Sequence, residues 1–462
     1  MLVRHPFRAL SVALLAALAV FVGCTAESPE TTSGCSDCNV LLIVADTLRA
    51  DRLGSYGYER PTSPFFDRLS EQGVLFEQAR ATASCTFPSV NSLLTSRDSI
   101  IFLNEETRPG IPETVRSLPE MLAEAGRRTI AISASPVVRN TPSKHNPKGG
   151  YGRGFEVFDE SVVWAHGTHV TLKAQELLED IGDDPFFLYL HYMDPHDPYV
   201  PLKSYEGLFA GDYDGPHEFV EAGDPNPLSA MIREQTFDEL ADIDRDIGHL
   251  SNLYDESIRT FDHALEQLFQ ILEARGELDK TLVLITSDHG EAFYEHGVVK
   301  HCYTVFDNEV HVPLLALGPN VETGRVKVAA SLLDVVPTVL EYLGLEKSPE
   351  LQGRSLLPFL DDPTLASDDR LAFSGMGVYR SATDGEFKLV RHLAEDRYGL
   401  FNVVEEPSEK VDVLDSKRRE FFRLRESLLG WMETNEGEKS AAERQDLAKE
   451  IEEELRSLGY LG

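Results

Sequence analysis

Three groups of polar residues and one hydroxyl-rich segment carry the chemistry of this chain. The groups are Asp46-Thr47, the run Met193-Asp-Pro-His-Asp-Pro, and Ser287-Asp-His-Gly-Glu. The segment is ASCTFPSVNSLLTSR, from Ala83 to Arg97, which sets a cysteine beside a threonine and a proline. Asp46, Asp288 and His289 together offer two hard oxygens and one nitrogen, a set that suits a divalent cation of the zinc, manganese or calcium kind. Any one of them alone reads as a turn residue, since Asp before a turn is common. Their joint placement after apolar runs is the informative feature.

Those runs are the elements that must position them. NVLLIVA (Asn39–Ala45), TIAISA (Thr129–Ala134), FFLYLHY (Phe186–Tyr192) and TLVLIT (Thr281–Thr286) are short, apolar and rich in β-branched or aromatic residues. Each suits a strand buried on both faces of a parallel sheet. Val312–Leu317 reads as a fifth strand, Pro64–Gly73 and Pro88–Leu94 as helices, and Leu253–Arg275 as a long amphipathic helix. Strand and helix in alternation predict an α/β domain with a mostly parallel central sheet and helices on both faces. Open sheets of this kind bind ligands at the carboxyl ends of their strands, where Asp46, Asp194 and Asp288 fall. Beyond about Asp362 the runs become short and alternating, which predicts a smaller C-terminal antiparallel-sheet α+β unit over residues 363–462 with a charged helical tail. The catalytic domain is therefore expected over residues 39–362.

The chain has 462 residues, of which 42% are hydrophobic, and carries 43 Lys+Arg against 78 Asp+Glu. A net charge of -35 disfavours nucleic acid as a partner. It does not exclude an anionic ester, because a local cationic pocket outweighs a distant field screened by salt. Residues 1–23 carry Arg4 and Arg8, then a short apolar run, which is a signal-peptide pattern. The run ends in Phe-Val-Gly before Cys24, resembling a bacterial lipoprotein box. Cys24 is then the lipidation site, residues 24–38 are a tether, and the protein is an exported, periplasmic or cell-surface lipoprotein held at a membrane. Ordinary secretion is the alternative. Cys35 and Cys38 predict a local disulfide rather than a zinc site, which needs four ligands.

The chain resembles the sulfatase family of the alkaline phosphatase superfamily. The resemblance rests on NVLLIVADTLRADRLGSYGY, ERPTSPFFDRL, LYLHYMDPHDPYVP, TLVLITSDHGEAFYEHG, KHCYTVFDNEVHVPLL and LQGRSLLP, in that order, and covers nearly the whole mature chain. It implies that the quoted segment holds the nucleophile, at a position where the family carries a cysteine converted to formylglycine. Thr86 stands there, two residues before Pro88, and Val90 stands in place of the family's arginine. Cys85 is one residue too early to be the precursor and reads as a small buried residue beside the site. By the same resemblance, Asp46, Thr86, Asp288 and His289 hold one divalent metal (Ca, Mn or Zn). His196 contacts the ester and aids the leaving group, and Lys300 and His301 face the ester's oxygens. Thr47 replaces a second acidic ligand, while Glu295 and His296 are at most supporting residues.

The resulting expectation is a metal-dependent sulfatase-like hydrolase or transferase acting on phosphate or sulfate esters of a small molecule, glycan or lipid, with Thr86 as nucleophile. A threonine ester lacks the second hydroxyl by which a formylglycine hydrate expels sulfate, which favours phosphoester chemistry or transfer. A sulfuric ester hydrolase working without formylglycine and an inactive binding member of the family are the alternatives.

Overall fold

The computed structural model describes residues 34–103, 110–182, 184–215, 243–366 and 369–435. The expected signal peptide, Cys24, the tether up to residue 33 and the tail beyond 435 lie outside the described residues. The described residues cluster as one compact unit.

An eight-stranded sheet organises the chain. In sequence order its strands are β1 (Asn39–Ala45), β2 (Val74–Arg80), β3 (Arg128–Ser133), β4 (Val157–Asp159), β5 (Phe186–Tyr192), β6 (Thr281–Thr286), β9 (Leu314–Leu317) and β10 (Gly324–Ser331). Between β6 and β9 a two-residue hairpin forms from β7 (Ala292–Phe293) and β8 (Val299–Lys300). The spatial order is β10-β2-β9-β6-β1-β5-β3-β4. β1 pairs in parallel with both β5 and β6 and is buried throughout. Its side chains alternate between the two faces. Val40, Leu42 and Val44 join one core with Val90, Leu93 and Val335, whereas Leu41 and Ile43 join another with Tyr254, Phe261 and Leu268.

β9 departs from the expected parallel arrangement: it runs antiparallel to both β6 and β2. The chain from Thr286 to Leu314 contains only the β7–β8 hairpin and a short helix, Asp307–Val310. A parallel return needs a full crossover, and none is present. This reversal is useful, because it keeps the whole 287–313 segment, with Lys300 and His301, at the sheet edge where Asp46 and Asp288 emerge. β2 and β10 lacked the continuous apolar signature, since Glu77, Gln78, Arg325 and Lys327 interrupt them. The long helix is Ile243–Ala274, ten residues longer at its start than the expected 253. Ile247 and Leu250 there extend its buried stripe, and Asp244 and Asp246 favour a helix N-terminus.

The C-terminal strands β11 (Ala372–Met376), β12 (Tyr379–Thr383), β13 (Phe387–His392) and β14 (Arg397–Asn402) form an antiparallel meander. A helix over residues 418–435 covers it through Phe421, Leu424, Leu428 and Met432. Burying four such side chains is worth roughly 6–12 kcal/mol before entropy. β11 also reaches the main unit: Gly375 N–H donates to Thr82 O at 2.9 Å and Ser374 Oγ to Ala81 O at 2.6 Å. The small sheet thus braces the segment that leads to Thr86.

Candidate active site

Asp46 follows β1, and its N–H donates to Tyr192 O at 2.9 Å, so the carboxylate leaves the sheet in fixed register. Thr47 next to it has φ 62°, strained for a β-branched residue. Three bonds hold it there. Its N–H donates to Asp288 Oδ1 (3.3 Å), its hydroxyl to Asp46 O (2.7 Å), and Tyr254 OH donates to its carbonyl (2.7 Å). The Thr47 hydroxyl is therefore turned onto the backbone, and Thr47 acts here by orienting Asp288. After β6, Ser287 Oγ donates to His289 O (2.6 Å) and accepts from Leu48 N–H (2.9 Å), fastening the two strand ends together.

These contacts bring Asp46, Asp288, His289 and Thr86 to one point. Asp288 Oδ1 is taken by the Thr47 and His289 N–H groups. Asp288 Oδ2 and Asp46 Oδ1 are buried with no hydrogen-bond partner among the described residues. His289 Nδ1 donates to Gly290 O at 2.9 Å, which leaves Nε2 facing inward. Nε2 lies 3.7 Å from Asp46 Oδ1, 3.5 Å from Asp288 Oδ2 and 3.1 Å from Thr86 Oγ1. One ligand atom from each of Asp46, Asp288 and His289 falls within 4.8 Å of the others, a spacing that fits ligands about 2.0–2.6 Å from a shared ion. Two orphaned carboxylate oxygens beside an imidazole nitrogen are a donor set for a divalent cation.

The electrostatics agree. Burial works to raise the Asp46 carboxyl, yet His196, His191 and His289 outweigh it and hold Asp46 well below the usual range. Asp288 is pushed up, by burial first and by the Asp46 charge second. Burial works against a charged His289, but Asp288 and Asp46 prevail and raise it. A site with two buried carboxylates calls for positive charge.

Thr86 is the first residue of the helix Thr86–Thr95, with Cys85 as its N-cap residue. It is 5% exposed. The helix amino end favours negative charge at this place, and Ser89 Oγ donates to Asp288 O at 2.5 Å, locking helix to loop. Val90, in the position of the family's arginine, is fully buried in the core. Cys85 corrects the sequence reading: it is not a free buried thiol but is disulfide-bonded to Cys302, 217 residues away. Cys302 N–H also donates to Ser84 O at 2.7 Å. A thiol so engaged cannot be a formylglycine precursor, in line with its rejection on spacing. Cys35 and Cys38 form the expected local bridge.

The outer residues form a row of rings. His289 and His301 have centroids 4.6 Å apart, and His301 and His196 5.0 Å. His196 Nδ1 donates to Asp197 O at 2.6 Å, which leaves Nε2 as its other ring nitrogen. Lys300 Nζ donates to Asp197 Oδ2 at 2.9 Å. His301 Nδ1 donates to Glu291 Oε1 at 3.0 Å. Burial, then His289 and His196, keep His301 well below the ordinary histidine range, so it serves as a neutral hydrogen-bonding ring rather than a cation. Lys300 and Cys302 both have left-handed backbones, φ 73° and 75°, flanking His301. His296 is away from this row, stacked on Phe306 at 3.7 Å. Glu295 accepts from Arg49 (2.6 Å).

Sequence reasoning missed two residues. His191, on β5, places Nε2 3.1 Å from Asp46 Oδ2 and Nδ1 2.7 Å from Tyr189 OH. The available signal was an imidazole inside a strand otherwise apolar on both faces. Glu291 orients His301, and burial first of all raises it to about 7.

Near the site, Arg80 at the end of β2 donates to both oxygens of Asp307 (3.0 and 2.7 Å). Lys388 of β13 reaches Asp307 Oδ1 at 2.6 Å and Glu409 Oε1 at 3.0 Å. All four residues are buried.

Two carboxylates and an imidazole at strand ends of a mostly parallel sheet, with a hydroxyl at a helix start beside the imidazole, form an arrangement suited to ester hydrolysis. The Sulfatase family profile matches residues 38–345, and the chain belongs to the sulfatase family as a sulfatase-like ester hydrolase. It is 26% identical over 397 residues to the multifunctional alkaline phosphatase superfamily protein PehA of Trinickia caryophylli, covering 70% of this chain and 77% of that protein. It is 28% identical over 390 residues to human (Homo sapiens) N-sulphoglucosamine sulphohydrolase, covering 77% and 73%. The phosphonate monoester hydrolase of Agrobacterium radiobacter shares the fold with a TM-score of 0.67 at 21% identity, covering 86% of this chain and 96% of that one.

Proposed function

We propose that the chain is an exported, metal-dependent ester hydrolase in which Thr86 is the nucleophile, acting on phosphate esters in preference to sulfate esters. The observation that carries this reading is the position of Thr86 Oγ1, 3.1 Å from His289 Nε2, the atom that faces the two orphaned carboxylate oxygens. Asp46, Asp288, His289 and Thr86 would hold the cation. A divalent ion bound there supplies Lewis-acid polarisation of the ester and lowers the pKa of a hydroxyl.

The chain's own groups do the rest. Thr86 releases its hydroxyl proton to solvent, and the bond from its Oγ1 to phosphorus forms as the bond to the leaving oxygen breaks. His196 Nε2, its other nitrogen engaged with Asp197 O, delivers a proton to that leaving oxygen. Lys300 neutralises the ester's outer oxygens, and Asp197 fixes its ammonium. Water then hydrolyses the threonine ester and regenerates the hydroxyl; an alcohol acceptor in its place gives transfer. The name of PehA and the phosphonate monoester hydrolase fold support chemistry at phosphorus. The leader and Cys24 support attachment to a membrane by a lipid.

The test compares wild type and Thr86→Ala on 4-nitrophenyl phosphate and 4-nitrophenyl sulfate. Loss of at least about 10³-fold in kcat is expected, with phosphate the better wild-type substrate. Undiminished turnover would remove Thr86 from the reaction. Faster sulfate turnover would favour a sulfuric ester hydrolase without formylglycine, and turnover of neither a binding role.

A further inference from the structure

Trp164 lies at the outer end of the ring row. Its centroid is 5.7 Å from that of His196, edge-on, and 6.3 Å from that of His145. It is 41% exposed, more open than the half-buried rings of His196 and His145 beside it. Its backbone is left-handed, φ 62°, a costly conformation for a bulky residue. The Trp164 N–H to Ala134 O bond (2.9 Å), at the end of β3, holds it there. Strain kept at the rim of a catalytic cleft, and used to present a large apolar ring to solvent, points to a ligand.

A small cleft of about 50 Å³ opens beside this ring, lined by Trp164, His166, Met193, Asp194, His196 and Pro198 among others. It is continuous with the site, since His196 belongs to both. Asp194 is buried and accepts from Gly167 N–H through both oxygens (2.9 and 3.1 Å). It also lies 3.8 Å from His166 Nδ1, which leaves His166 Nε2 turned away from it. The row His289, His301, His196, Trp164 thus leads from the reacting atoms outward on the side where His196 meets the leaving oxygen.

We propose that Trp164 is the platform for the organic half of the ester, selecting a ring-bearing leaving group whose flat face stacks on the indole and whose polar substituent meets His166. This rests on the reading of His196 as the residue facing the leaving oxygen. The cleft is too small to enclose a six-membered ring, so the ring lies across the indole and only its substituent enters. The Asp194 carboxylate, 3.8 Å away, raises the His166 imidazole, which disfavours a cationic headgroup and suits a hydroxyl or an anionic substituent.

The experiment measures the ratio of kcat/KM for 4-nitrophenyl phosphate to that for methyl phosphate, in wild type, Trp164→Asn and Trp164→Phe. Asparagine tolerates the left-handed backbone and removes the ring; phenylalanine keeps a ring. The ratio is expected to fall about five- to tenfold in Trp164→Asn, mostly through KM, and to recover in Trp164→Phe. An unchanged ratio in Trp164→Asn, or no recovery in Trp164→Phe, would overturn the proposal. Thr86→Ala on the same two esters reports separately on the nucleophile: undiminished rates for both would remove Thr86 from the reaction and still leave the Trp164 ratio readable.

Discussion

Consider removing the Cys85–Cys302 bridge by the paired change to alanine. In the chain-entropy description, a cross-link over n residues restricts the unfolded chain by about 2.1 + 1.5R ln n cal/mol/K. With a separation of 217 residues, that is roughly 18 cal/mol/K, or about 5 kcal/mol at 25 °C. The Cys35–Cys38 bridge, separation 3, gives only about 1.5 kcal/mol. Against a total stability of about 5–15 kcal/mol, the first is large. With an unfolding entropy of about 2.1 cal/mol/K per residue over 462 residues, it lowers Tm by about 5 °C. It also has a catalytic face. One half-cystine precedes Thr86, and the other follows His301 in a strained turn. Without the bridge that strain has less to oppose it, so kcat falls as well. The assay is thermal unfolding by circular dichroism with ester turnover, for both paired variants. If the Cys85/Cys302 variant melts no lower than the Cys35/Cys38 variant and turns over at the wild-type rate, the reasoning is wrong.

Protein purified without chelator is expected to hold about one divalent ion per chain by elemental analysis, and Asp288→Asn to hold far less. Adding the ion at about 100 times its Kd should stabilise wild type by about 2.7 kcal/mol and the variant by little; equal ion content in both would count against the assigned ligands. A third prediction concerns pH. Burial first, then Lys388, lowers His296 to about 4. The folded state therefore binds fewer protons than the unfolded one, and its advantage, full above about 6.5, is lost as pH falls toward 4. His296→Phe keeps the stack on Phe306 and removes the titration. The Tm gap between variant and wild type should widen in the variant's favour from pH 7 to pH 4, and a constant gap would contradict this.

Much of the site could be read in the sequence because strand ends are local signals. Asn39–Ala45, Phe186–Tyr192 and Thr281–Thr286 form strands with the expected limits. Continuous apolar runs mark central strands, and the residue after each run falls at the ligand-binding edge. Asp46, Asp288 and His289 come together at the edge where β1 and β6 end; Thr86, to which the resemblance pointed, lies 3.1 Å from His289 Nε2. Long-range features were not legible. The partner of Cys85 lies 217 positions along the chain and is fixed by the fold between them. His191 acts through a hydrogen bond to a neighbouring strand that no spacing reveals. β9 reverses because of how little chain separates it from β6, while periodicity reports a strand but not its direction.

The interior ion network of Arg80, Asp307, Lys388 and Glu409 has an implication for trimming or swapping parts of this enzyme. A chain cut after Asp362 keeps every proposed metal ligand, yet it removes the ammonium that balances Asp307 from the far side. It also removes the Glu409 carboxylate that accepts the Asp307 N–H. Asp307 starts the short helix that ends the loop carrying Lys300 and His301, so cutting away the small sheet would unsettle the substrate side while sparing the ligand side. The C-terminal strands are better regarded as a buttress for the segments that lead to Thr86 and away from His301 than as an accessory.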